Sequence, residues 1–396
     1  MQRSRPPGIL ARGAQSEVVR FPLMSKANLL AIRQLVSLCL DPAGTPRPAD
    51  PESWEELVSL ALYHGVAAFL GLKLNNLGVP QPVRARLRAL YLTNLVRNQE
   101  MKAEQEKVLA ALSNQAIPAC PLKGAHLSES LYGDIGVRQV GDIDVLIRPQ
   151  DLEKADHVLA ELGYVRGLSD ELAHFRRSQE LIYRKPASQD RSFYLDVHQR
   201  LLPYVRQDPL AESVWASGMT KENLLLYLCL NQVAHRFARL MYVLDIKVLL
   251  DRTAEGLDWN LIVSLARELE FTPGVYYSLE SVCELAGARI PGSVLAALRP
   301  DRFDRRLARW VLGADPTTTL ARGPTLAGPY GAFAILACTR SGGARLRQAW
   351  RLLFPPAAYM RQAYWAQPHQ ATLPFYVDRL VRKVPAAMRH LFKAGF

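Results

Sequence analysis

Asp142 and Asp144 stand two residues apart in the run DIDVLI, residues 142–147. In a strand, side chains alternate, so both carboxylates share one face while Ile143, Val145 and Ile147 take the other. Two like charges this close repel each other, and an otherwise apolar strand has little reason to carry such a pair unless a cation sits between them. Oxygen ligands on a rigid strand suit Mg²⁺, which keeps several waters and takes its remaining ligands from carboxylates and phosphate. The run YLDVH, residues 194–198, repeats the pattern, with Asp196 and His198 on one face and Leu195 and Val197 on the other. A third carboxylate from a neighbouring strand completes a two-metal clamp for in-line phosphoryl transfer. A lone Asp-x-Asp is more often a turn or a cap. Here the pair lies inside an alternating run, with Lys123-Gly124 upstream and a third aspartate downstream. If the pair is bare in the absence of metal, neutralising one member is expected to raise the melting temperature.

The elements that must position these residues are readable from periodicity. Residues 116–122 form a short apolar run entering the Lys123-Gly124 turn, the pattern of a buried strand. Residues 142–147 alternate with period two. Leu152, Ala155, Val158, Leu159 and Leu162 then recur at helical spacing until Gly163. Two β-like runs follow at 180–184 and 192–198. Together they describe a small α/β core over residues 117–208.

Both flanks read as helical. On the N-terminal side, 25–116, a helix is expected over 26–40, followed by the Pro-rich break DPAGTPRPADP. Another helix is expected from Ser53 as N-cap, and a longer one from Pro82 to about Gln115 with a polar stripe of Arg97, Glu100, Lys102 and Glu104. The C-terminal side is helical from about Pro209 to 315, densest over 223–250, where His235 and Arg239 fall on one helix face, as packing residues or, the less favoured reading, lining the acceptor cleft. Residues 1–24 read as a disordered leader. His64, His126 and His174 read as structural.

The chain has 396 residues, enough for about two or three domains and a core that needs no staples. Five scattered cysteines without a CxxC pair argue against a disulfide framework or a zinc knuckle and point to a reducing, cytoplasmic setting. The best apolar run, YGAFAILAC, is far too short to span a bilayer. The net charge is +12, and residues 316–396 hold eleven basic residues against one acid, Asp378, a net +10. Arg345, Arg347 and Arg351 fall on or near one face of that helical tail, among Trp350, Phe354, Tyr359, Tyr364 and Trp365. An anionic partner suits it: nucleic acid (the less favoured), an acidic lipid surface or a phosphorylated acceptor. A solvated helical cap is the plainer alternative.

The run KGAHLSESLYGDIGVRQVGDIDVLI, followed by LEKADHVLAELGY and YLDVHQRL, resembles the uncharacterised nucleotidyltransferase family of the DNA polymerase β-like superfamily. WEELVSLALYHGV looks like that family's upstream helix, and residues 232–250, with His235, Arg239 and Asp245, like its downstream one. The likeness extends from residue 54 to about 380, including WRLLFPPAAYMR, and is strongest over 118–200. It implies an α+β fold: a small mixed-sheet nucleotidyltransferase core between α-helical regions. It also implies transfer of a nucleoside monophosphate from an NTP, most simply ATP, with pyrophosphate released and two Mg²⁺ ions as cofactor, Mn²⁺ being an alternative. By the resemblance, Asp142 and Asp144 hold both ions and Asp196 the one beside the acceptor hydroxyl. Gly124 and Ala125 approach phosphate, Lys123 and Arg138 neutralise it, and His198 contacts phosphate or orients a carboxylate. Tyr132 occupies a further family position. The wider superfamily's Gly-Ser turn is Gly124-Ala125 here, followed by a 16-residue gap before Asp142, so the hydroxyl that touches triphosphate is missing. The acceptor is expected to be a small molecule or biosynthetic intermediate, with a hydroxyl or phosphate as the receiving group. Protein nucleotidylylation, or a non-catalytic nucleotide- or nucleic-acid-binding module on the same fold, are the alternatives.

Overall fold

The computed structural model describes residues 26–75, 77–166, 180–188, 191–202, 208–253, 256–312, 320, 329–355, 357, 360 and 371–385. The expected leader, His174, Tyr359, Tyr364 and Trp365 lie outside them. Helices α1 (Lys26–Leu40), α2 (Pro51–Tyr63), α3 (Ala67–Leu74) and α4 (Gln81–Asn114) come first. The cap of α2 is Asp50, not Ser53: its carboxylate accepts from the Ser53 amide, and Pro51 opens the helix where a missing N–H costs nothing. Its 34 residues make α4 about 51 Å long.

A five-stranded sheet follows, ordered β1-β2-β5-β4-β3: β1 (Ala119–Pro121), β2 (Ile143–Ile147), β3 (Val165–Arg166), β4 (Glu180–Ser188) and β5 (Arg191–His198). The strand expected over 116–122 is thus only three residues long. Helices α5 (Ala125–Leu127) and α6 (Leu152–Glu161) lie between strands, α5 continuing as a π-turn over Ser128–Tyr132. Only β2 and β5 run parallel; the other pairs are antiparallel, so the sheet is mixed as expected.

The two faces of the sheet join different cores. Ile143, Val145, Ile147, Leu195, Val197, Leu181 and Tyr183 pack with Met101, Val108 and Leu112 of α4 and with Ala155, Val158 and Leu159 of α6. On β2, Leu146 points the other way, into a larger cluster built from α1–α3 and from the helices after the sheet. Those include α7 (Pro209–Ser217), α8 (Lys221–Ala234), α9 (Leu240–Thr253), α10 (Trp259–Glu268), α11 (Thr272–Ala286), α12 (Gly292–Leu298) and α13 (Arg302–Leu312). The N-terminal helices therefore share one core with the C-terminal ones: Leu35, Trp54 and Leu70 are buried in the same cluster as Leu226, Leu244 and Leu279.

The dense stretch over 223–250 is two helices, not one. His235 ends α8, and Arg236 and Phe237 adopt left-handed φ values of 53° and 57° before α9 begins. His235 and Arg239 consequently do not share a helix face, and His235 stacks on Tyr242 at 4.9 Å between ring centroids. Glu104, expected in an exposed stripe, is buried. Its carboxylate accepts from Lys185 Nζ at 2.7 Å and Tyr164 Oη at 3.1 Å, tying α4 to the sheet.

Candidate active site

The parallel pairing of β2 with β5 puts Asp144 directly opposite Asp196 and Leu146 opposite His198. Register partners in a parallel pair project from the same face. Asp144, Asp196 and His198 therefore share the face that looks toward the helical core, and all three are buried. Asp142, one residue before β2, follows the same alternation and is half-buried at the strand's entrance.

Asp144 is the hub. Its Oδ1 accepts from Lys123 Nζ at 3.1 Å and lies 2.9 Å from His198 Nε2. Burial alone would raise its pKa, but the Lys123 ammonium and the His198 hydrogen bond outweigh that and hold the carboxyl well below the usual range. The second oxygen, Oδ2, is buried and receives no hydrogen bond. A buried carboxylate oxygen without a donor is costly unless a cation meets it. Lys123, expected at the triphosphate, thus stands against the central carboxylate. His198, expected to contact phosphate or orient a carboxylate, lies beside Asp144.

Gly124 lies behind Asp142. Its φ is +82°, and a Cβ there would stand 3.2 Å from the Asp142 carbonyl oxygen, so both conformation and space call for glycine. Ala125 is buried at the first helical position after it.

The loop from Gly133 to Asp142 is held by side chains of α4. Asn94 Nδ2 donates to the carbonyls of Gly136 (2.7 Å) and Arg138 (2.9 Å), and Asn98 Nδ2 to those of Ile135 (2.5 Å) and Arg138 (2.8 Å). Ser128 Oγ accepts from the Arg138 amide at 3.2 Å. Sequence reasoning missed both asparagines. Their i, i+4 spacing on a long helix was the available signal.

Arg138, also expected at the triphosphate, is paired with α9. Its Nε donates to both Asp245 oxygens at 3.2 and 3.1 Å, and both side chains are buried. Tyr132 Oη donates to the same carboxylate at 2.7 Å, and burial together with Asp245 pushes its phenol pKa far up. Three of the family positions thus form a buried clamp between the loop before β2 and α9. Tyr242 of α9 is within electrostatic reach of Lys123, Arg239, Arg138 and Asp142, its phenol raised by burial. The helical core therefore closes over the carboxylates.

Two neighbouring strands carrying aspartates in register, a third aspartate two residues upstream and a glycine turn pressed against it are matched by a family described as an uncharacterised nucleotidyltransferase, over residues 50–287. The chain belongs to that family. The matched span opens near the expected residue 54 but ends well before 380, leaving the basic tail outside it. No curated protein and no solved structure matches the chain. Nucleotidyl transfer is therefore the family's general chemistry, and a nucleotide the implied substrate.

The donor set can be tested against a hard divalent cation. The Asp144 and Asp196 carboxylates stand on one sheet face, and Asp144 Oδ2 is buried with no donor, the oxygen chemistry that would suit Mg²⁺. Among the described residues no three His, Cys, Asp or Glu side chains form a group that could hold a metal ion, and Lys123 occupies one oxygen of Asp144.

Proposed function

We propose that the protein is a Mg²⁺-dependent nucleotidyltransferase that moves a nucleoside monophosphate from an NTP, most simply ATP, to an anionic small-molecule or biosynthetic acceptor. The observation that carries this is the in-register pair Asp144 and Asp196, with a buried Asp144 oxygen that has no hydrogen-bond donor. Asp142 and Asp144 would hold two ions and Asp196 would share the one beside the acceptor. When bound, the metal supplies positive charge to the phosphates and the reacting oxygens.

The chain's own groups do the rest. Gly124 lets the turn after Lys123 pass close to the Asp142 backbone, and Ala125 opens the short helical segment after it. Lys123, released from Asp144, becomes the cation for the triphosphate. His198 keeps Asp144 in its orientation through the Nε2 contact. The Asp196 carboxylate takes the proton from the acceptor hydroxyl. The acceptor oxygen then bonds to the α-phosphorus as the bond to the bridging oxygen breaks, and pyrophosphate leaves in line. Arg138 positions the loop before β2 through Asp245.

Incubating the protein with each α-labelled NTP, Mg²⁺ and a cell extract, and tracing the label, tests this reading. Label should appear in one product with stoichiometric pyrophosphate, and Asp144→Asn should abolish both. If no NTP yields metal-dependent pyrophosphate, the reading fails.

A further inference from the structure

The two helices at the C-terminal end bury polar side chains and turn large apolar ones outward, although Ala344 and Leu352 are also buried. In the helix Gly342–Leu353, Gln348 is buried and bonded to Thr339 Oγ1 at 2.7 Å, while Leu346 and Trp350, one turn apart, face solvent. In Leu373–Asp378 and its continuation Arg379–Lys383, Arg379 is fully buried, its Nε and Nη2 donating to the Leu352 carbonyl at 3.2 and 2.6 Å. The outward stripe there is Leu373, Val377 and Val381. All five outward residues are between 53% and 72% exposed. A surface helix ordinarily turns its apolar stripe to the core and its charges to water. The helices form one unit, joined by Arg379, by the Phe354–Tyr376 ring contact and by the Tyr376 hydroxyl on the Pro355 carbonyl.

Charge selects the occupant. Residues 316–396 carry a net +10, and Arg340, Arg347 and Arg382 are exposed in and beside these helices. Arg347 and Arg382 stay exposed although Glu270 and Asp378 pair with them. A second copy of this surface would bring two such charges together. Nucleic acid is met by aromatic faces on which bases stack, whereas four of the five exposed residues are aliphatic. Aliphatic side chains and a tryptophan interspersed with arginines match an anionic bilayer surface, where the apolar groups enter the acyl boundary and the arginines meet phosphate.

We infer that the C-terminal unit docks this protein on membranes rich in anionic phospholipid. The inference is independent of the catalytic reading. The full chain should co-sediment with phosphatidylcholine vesicles containing phosphatidylglycerol, not with phosphatidylcholine alone, and less at high salt. L373S/V377S/V381S should weaken binding by at least about tenfold, because those groups no longer enter the lipid. L346S/W350S, on the other helix, should do the same, so a folding failure in one variant leaves the other to decide. Melting curves should be unchanged, since all five side chains face solvent. The inference is overturned if the protein ignores anionic vesicles or if both variants bind them as well as the parent. It is also overturned if polyuridylate competes the protein off the vesicles, or if the parent is a dimer that L373S/V377S/V381S dissociates.

Discussion

Replacing Asp144 with Asn in the metal-free protein should lower stability, the reverse of what a bare pair of repelling carboxylates would give. Asp144 Oδ1 carries two contacts, Lys123 Nζ at 3.1 Å and His198 Nε2 at 2.9 Å. Asparagine keeps an oxygen for His198 but loses the charge that Lys123 faces. A hydrogen bond to a charged group contributes about 1.5–3 kcal/mol, so Asp144→Asn should cost about 2–3 kcal/mol. Lys123→Met removes the pair from the other side and leaves a buried carboxylate, for which about 3–5 kcal/mol is typical. The 14% exposure of Lys123 puts it at the low end of that range. The double variant removes both charges together and should cost about 2 kcal/mol less than the sum of the singles. Urea unfolding followed by circular dichroism, in EDTA at neutral pH, measures all four proteins. A more stable Asp144→Asn protein, or singles that add to within about 0.5 kcal/mol, would refute the pairing.

Breaking the interior clamp with Arg138→Met or Asp245→Leu should each cost about 3–5 kcal/mol, while the two together should recover most of the loss; thermal melts of the three variants check it. His64 is buried, and burial, helped by Arg239, lowers its pKa from 6.5 to about 3. The unfolded chain therefore binds a proton that the folded one refuses, and stability falls by about 1.4 kcal/mol per pH unit as pH drops from 6.5 toward 3. His64→Gln should remove that slope from a pH series of unfolding curves, and an unchanged slope would assign it elsewhere. Gly124→Ala should cost at least about 1–2 kcal/mol for the left-handed φ. It should also displace Asp142, so its loss of pyrophosphate release should exceed what reduced folding explains.

Much of the carboxylate site was legible because strand alternation is a local rule. Once 142–147 and 192–198 were read as strands, the shared faces of Asp142 with Asp144 and of Asp196 with His198 followed, and β2 and β5 lie there. That Asp144 would sit opposite Asp196 depended on which strands pair, which no local pattern records. The missed or misplaced residues share one cause. Arg138 was expected at the triphosphate, Glu104 in a polar stripe and Arg345 on a basic helix face, because each is a long charged side chain. Each instead meets a partner distant in sequence: Asp245, Lys185 and Asp304. The break inside 223–250 was hidden because the left-handed turn falls on Arg236 and Phe237, where no glycine marks it. The cap of α2 was displaced by three residues because Asp50 and Ser53 are both good capping residues.

The pairing of β2 with β5 also dictates when the site can come into being. Fifty-one residues of chain lie between Asp144 and Asp196 in sequence, and β5 is inserted between β2 and β4, at the centre of the sheet. During synthesis β1 and β2 can form an antiparallel pair as soon as they emerge, but the acidic cluster does not exist then. The β4–β5 hairpin has the shortest loop to close, so it should form on its own and then dock against β2 as a unit. Until that docking, Asp142 and Asp144 stand without their cross-strand partner, and a chain stalled before residue 196 lacks the third carboxylate. The acidic cluster and the centre of the sheet thus come into being in one event.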